Sequence, residues 1–173
     1  MNYRVSIAIT LLMTSCDNKT ESNYGRDDDE PVFMAMGQNN PKLAIALEQA
    51  GETLPDFIDA FCAGRHSESP FVVKACFLGE DEEDRVHIWV LLNQLHEGDL
   101  VCSPIQIPEG FSGLQEDQLF ILRQEQVEDW MINVDGLIYG GYSLRLAREM
   151  TSDAEKPEFD EHIGLRDFTD QNP

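Results

Sequence analysis

The side chains best equipped for chemistry lie in a few short apolar runs. His87 and Trp89 alternate with Val86, Ile88 and Val90, which puts an imidazole and an indole on one face of a strand. Asp129 and Trp130 fall on a later strand and Tyr142 on the segment that returns from it. If the sheet curls, these five converge on a shallow cleft where indole rings stand beside a carboxylate. Such a cleft suits a cationic or peptide ligand, because the ring faces and the carboxylate both attract positive charge. The same residues admit a structural reading, in which two tryptophans anchor a small core and Asp129 accepts backbone N–H bonds at a strand end. A further reading makes His87 the acid–base partner of Asp129 or Glu128 in a hydrolase.

Other arrangements fall short of a site. His66, His87, His96 and His162 show no ligand spacing, and Cys16, Cys62, Cys76 and Cys102 contain no CxxC pair. The acidic run at 80–84 lacks the ordered ligand positions and central glycine of a calcium loop. Gly140-Gly141 is not a phosphate loop; inside a strand it signals a bulge or a close backbone approach. Ser67 beside His66, and Cys102 near His96, do not occupy a nucleophile elbow. The sequence therefore assigns no catalytic, cofactor-binding or metal-ligating residue, and a non-enzymatic role is favoured. Cys62, Cys76 and Cys102 lie among apolar residues and read as small buried hydrophobes, with one disulfide plus one free thiol as the alternative in an oxidising compartment.

The elements that must position these groups follow from periodicity. Asn40-Pro41 is a cap followed by a proline suited to a first helical turn. Leu43, Ala46, Leu47 and Ala50 share one face, Gly51 stops the run, and Thr53-Leu54-Pro55 starts a second helix with Phe57, Ile58, Phe61 and Cys62 as its stripe. After Pro70 the period becomes two. Residues 71–78 and 86–93 form a hairpin across the acidic turn. Further strands are expected at 100–107, 119–122, 127–134 and 137–144, with Asp135-Gly136 as a two-residue turn, and a short helix at 146–150. The fold class is α+β: an N-terminal helix pair packed on a curled, barrel-like antiparallel sheet of about six strands. Residues 151–173 are acidic and polar and read as a mobile tail.

Ahead of this domain, Arg4 precedes an apolar run at 5–13, then Thr14, Ser15 and Cys16. The run is shorter than the roughly 20 residues that span a bilayer, so 1–15 reads as a signal peptide. Small residues ending at a cysteine resemble a bacterial lipoprotein signal, which implies lipidation of Cys16 and a membrane anchor. Asp17, directly after the cysteine, resembles an inner-membrane retention signal, which implies the periplasmic side of that membrane. Residues 16–40 then form an acidic tether.

The chain carries 33 acidic and 12 basic residues, a net charge of −21. Phosphate backbones are repelled by such a charge, which excludes nucleic acid and favours a basic protein or peptide partner. A hydrophobic share of 42% supports a packed core.

Three stretches carry a family likeness: Ala44 to Ala50 with Thr53-Leu54-Pro55 and Phe57; Phe71-Val72-Val73-Lys74 with His87-Ile88-Trp89-Val90; and Val127-Glu128-Asp129-Trp130-Met131 with Asp135-Gly136 and Gly140-Gly141-Tyr142-Ser143-Leu144-Arg145. In this order the chain resembles the YegJ-like bacterial proteins, a domain of unknown function (family 2314), over about residues 41–150. Val86 stands where that family usually carries glutamate. The resemblance implies a fold and no reaction. Three roles are thus expected: a binding module for a basic partner, an immunity-type protein neutralising a basic toxin, or a carboxylate/histidine hydrolase.

Overall fold

The computed structural model describes residues 40–79 and 85–173. The signal segment, Cys16, all of the tether before Asn40 and the acidic turn at 80–84 lie outside the described residues. The chain runs α1 (Pro41–Cys62), β1 (Phe71–Leu78), β2 (Arg85–His96), β3 (Asp99–Pro104), β4 (Phe120–Leu122), β5 (Val127–Val134), β6 (Leu137–Gly140), α2 (Tyr142–Met150), α3 (Lys156–Ile163) and β7 (Asp167–Thr169). The class is α+β, with a sheet of seven strands in the order β4-β3-β2-β1-β5-β6-β7.

Several expectations are corrected. The N-terminal helix pair is one helix of 22 residues, continuous through Gly51 and Pro55. Helix propensity disfavours both positions, at about 1 kcal/mol for glycine and about 3 kcal/mol for proline. Tertiary burial overrides this: Ala46, Ala50, Leu54, Phe57 and Ala60 form one buried face spanning the break, and a single large apolar side chain contributes about 1.5–3 kcal/mol. Proline at 55 removes the N–H that would reach the Gly51 carbonyl. One residue earlier, the Ala50 carbonyl accepts the Trp130 indole N–H at 3.1 Å.

The sheet is open rather than barrel-like, and mixed rather than wholly antiparallel, because β7 lies parallel to β6 at its edge. Residues beyond 151, expected to be mobile, form α3 and β7 instead. Phe159 and Ile163 are buried there among Val72, Trp89, Met131, Ile138 and Leu144. Ion pairs hold the segment as well: Arg148 clasps Asp160 at 2.6 and 2.8 Å, and Arg145 reaches Asp170 at 2.6 Å.

The hairpins match their sequence signals. Asp135 and Gly136 both take positive φ, at 51° and 89°, as a two-residue turn that follows the strand twist requires. The expected return strand at 137–144 ends at Gly140. Gly140 and Gly141 are both left-handed (φ 68° and 65°) and turn the chain into α2, so the helix begins at Tyr142 rather than at 146. A β-carbon on Gly140 would lie 2.4 Å from the Trp130 carbonyl oxygen, so this is the close backbone approach that paired glycines signal.

Two cores result. On one sheet face Phe71, Val73, Ala75, Ile88, Val90, Trp130 and Ile132 pack beneath α1. On the other, α2 and α3 contribute Leu144, Phe159 and Ile163. Central strands buried on both faces explain the unbroken apolar run Phe71-Val72-Val73.

Candidate functional site

A bulge in β5 sets the polar geometry. Lys74 pairs with Asp129, but Ala75 pairs with Val127, so Glu128 is an extra residue in the ladder. Val127 and Trp130 belong to the core under α1. Strict alternation would send Glu128 to that side too. The bulge swings it to the opposite face, where its Oε2 lies 2.5 Å from His87 Nδ1. Two adjacent carboxylates thereby reach one face of the sheet.

Asp129 is fully buried. Its Oδ1 accepts the Trp130 N–H at 2.8 Å and the Tyr142 N–H at 3.2 Å, and its Oδ2 accepts the Ser143 N–H and hydroxyl, both at 2.7 Å. Gly141 at the N-cap of α2 has no side chain, so Asp129 caps that helix from a neighbouring strand. Burial pushes its carboxyl above the ordinary range, against the Ser143 hydrogen bonds, Lys74 and the Trp130 N–H, which all pull it down. Lys74 stands opposite, also buried; burial lowers its ammonium, while Asp129 and then Glu128 pull it back up. A carboxylate holding four donors has its acceptor capacity committed to the fold.

Trp130 and Tyr142 face away from His87 and Trp89. The Trp130 indole donates to the Ala50 carbonyl and lies 3.2 Å from the Thr53 hydroxyl, and its ring packs on Phe57 at 5.2 Å and Tyr142 at 6.1 Å. Trp89 lies in the core beneath α2 and α3. Of the five residues expected to share a cleft, His87, Trp89 and Asp129 lie on one face, and Trp130 and the Tyr142 ring belong to the other. The cleft lined by both indoles does not form, because the indoles sit on opposite sides of the sheet.

What remains near His87 is a different group. Cys76 is its direct cross-strand partner, and Glu128 approaches from the strand on the far side of β1. One candidate ligand atom from each of Cys76, His87 and Glu128 lies within 4.8 Å of the others, and all three residues are half-buried. Burial, then Glu128, pushes the Cys76 thiol up, and Arg85 opposes the shift. His87 Nε2 and Trp89 Nε1 are buried without hydrogen-bond partners among the described residues. These three residues are the ones among the described chain that could hold a metal ion. Among the described residues no disulfide joins Cys62, Cys76 and Cys102.

Sequence reading passed over Cys76 because no linear spacing ties it to His87. The signal was the hairpin itself: folding it about the middle of the acidic turn pairs Cys76 with His87. Glu128 appeared only as an alternative base, since its reach to His87 depends on a bulge that no turn residue announces.

A family model described as an uncharacterised protein conserved in bacteria (DUF2314) matches residues 40–168. No curated protein and no solved structure matches the chain. None of the described helices is long and apolar enough to cross a membrane.

Proposed function

The chain belongs to the DUF2314 family of uncharacterised bacterial proteins, and from that premise we propose that it is a non-enzymatic binding module for a basic protein or peptide, anchored to the cell envelope by a lipid on Cys16. The observation that carries this reading is the outer face of α1. Glu48, Glu52, Asp56 and Asp59 recur at helical spacing on the side opposite the buried stripe, and Lys42 is the one basic residue of the helix. Ile45, 56% exposed, sits within this acidic face. An exposed aliphatic group ringed by like charges is the pattern of a contact that combines steering with a small apolar anchor. The net charge of −21 strengthens attraction of a basic partner at a distance. In an immunity-type role the same surface would meet a basic toxin.

Binding of a lysine-rich peptide to the chain tests the reading. Affinity should fall at least tenfold in the Glu48→Lys/Glu52→Lys double variant and should decline steeply with added salt. Equal affinity in the double variant removes the proposal. Mass spectrometry of the mature N-terminus tests the anchor, the expected product being an acylated Cys16.

A second reading, a hydrolase, draws on the contact between His87 and Glu128. Glu128→Gln should then abolish turnover of an ester or glycoside substrate without loss of folding.

A further inference from the structure

We propose that Cys76, His87 and Glu128 form a binding site for a divalent transition metal of the zinc class. Cys76 sits on β1, His87 on β2 and Glu128 on β5, and β1 lies between the other two strands in the sheet. Cys76 and His87 are held opposite each other by the hairpin register, and the β5 bulge delivers Glu128 to the same point. Donor chemistry selects the ion. A thiolate, an imidazole and a carboxylate together suit zinc or cobalt(II), whereas magnesium and calcium take oxygen ligands. Ligand atoms around tetrahedral zinc lie roughly 3.3–3.8 Å apart, as follows from metal–ligand bonds of about 2.0–2.3 Å. The three ligand atoms lie within 4.8 Å of one another, and binding requires the 2.5 Å contact of His87 Nδ1 with Glu128 Oε2 to open by about 1 Å as the ion replaces that hydrogen bond.

The His87 ring fixes which nitrogen serves the ion. Nδ1 faces Glu128 and is the nitrogen available to the site, whereas Nε2 points away from Glu128 and is buried with no hydrogen-bond partner among the described residues. The His87 side chain is 13% exposed and that of Glu128 23%, so the group is shielded yet reachable. On binding, the Cys76 S–H bond breaks, its proton passes to buffer and a sulfur–metal bond forms. Thiolate and carboxylate then balance the charge of the ion. Lys74 nearby is already faced by Asp129, which limits its repulsion of a cation. Three protein ligands leave a fourth position for water or an exogenous donor.

Cobalt(II) titration of the reduced full chain tests the site. One equivalent should produce a thiolate-to-cobalt charge-transfer band. Cys76→Ser should abolish the band, His87→Gln should weaken binding at least tenfold, and Cys62→Ser should leave both unchanged. A measurement on the unmodified sequence guards against misfolded variants: zinc should slow iodoacetamide alkylation of Cys76 at least tenfold and leave exposed Cys62 unaffected, with each cysteine read by peptide mass spectrometry. Absence of the band, or zinc-independent alkylation of Cys76, overturns the proposal. Neither outcome touches the α1 surface, whose peptide binding is measured separately.

Discussion

Replacing Asp129 by asparagine should destabilise the domain itself. The binding-cleft reading of the sequence implies the opposite, a carboxylate whose loss weakens partner capture and spares the fold. The carboxylate instead accepts four hydrogen bonds while fully buried. Asparagine turns one oxygen into an NH2 group. If that group takes the Oδ2 side, the Ser143 hydroxyl can rotate to accept from it, but the Ser143 N–H then faces a donor. If it takes the Oδ1 side, two backbone N–H groups lose their acceptor. Hydrogen bonds to a charged group contribute about 1.5–3 kcal/mol each, and the loss of one or two is partly offset because a neutral side chain is cheaper to bury. Buried Lys74 also loses the stronger of its two attractive charges, Asp129. The net expectation is a loss of about 2–4 kcal/mol, a large part of the roughly 5–15 kcal/mol that holds a domain together. Urea unfolding followed by circular dichroism measures it, and Tm should fall by roughly 10 °C. Lys74→Met and the double variant complete a cycle: the two changes should be less than additive, since removing both charges leaves neither uncompensated. An Asp129→Asn variant within about 0.5 kcal/mol of the parent would refute the argument that this residue is a buried helix cap.

Gly140→Ala should cost more than about 2 kcal/mol, because the left-handed backbone (φ 68°) is strained for alanine and its β-carbon meets the Trp130 carbonyl at 2.4 Å. Gly141→Ala, whose nearest neighbour is a side-chain methyl at 3.2 Å, should cost less, and paired thermal melts compare the two. Deleting residues 152–173 removes buried Phe159 and Ile163 and uncovers the second core; a loss of about 3–6 kcal/mol in urea unfolding is expected, and an unchanged midpoint would restore the picture of an independent tail. Burial pushes the Cys102 thiol from 9.0 up to about 12. A raised thiol contributes stability that is complete below its unfolded value and is lost as pH climbs through the folded one. Unfolding free energy should therefore fall by about 2–4 kcal/mol more in the parent than in Cys102→Ala as pH rises from about 9 to about 12.

Local signals in the sequence account for much of the scaffold. Alternation after Pro70 sets the β1–β2 hairpin, Asp135-Gly136 sets the β5–β6 turn, and Asn40-Pro41 opens α1, with the Asn40 side chain accepting the Lys42 N–H at 3.0 Å. Each is a property of a few adjacent residues, so a linear reading captures it. Gly51 and Pro55 misled that reading because they report propensity, whereas a buried face of several side chains decides whether the helix continues. The acidic composition of 151–173 misled it likewise: one aromatic and one aliphatic side chain, Phe159 and Ile163, bury in the second core, and Leu165 and Phe168 pack against it.

The side-chain groupings depend on contacts between distant strands. Adjacent residues on a strand point to opposite faces, so Asp129 and Trp130 part company however close they stand in the chain. The bulge at Glu128 breaks that rule once, and its effect depends on which strand lies beside β5. Sequence alone thus determined the family, the strand and turn periodicities and the acidic charge. The tertiary structure alone decided which face each polar group shares and that Cys76, His87 and Glu128 meet, because pairing register and bulge placement are properties of several strands together.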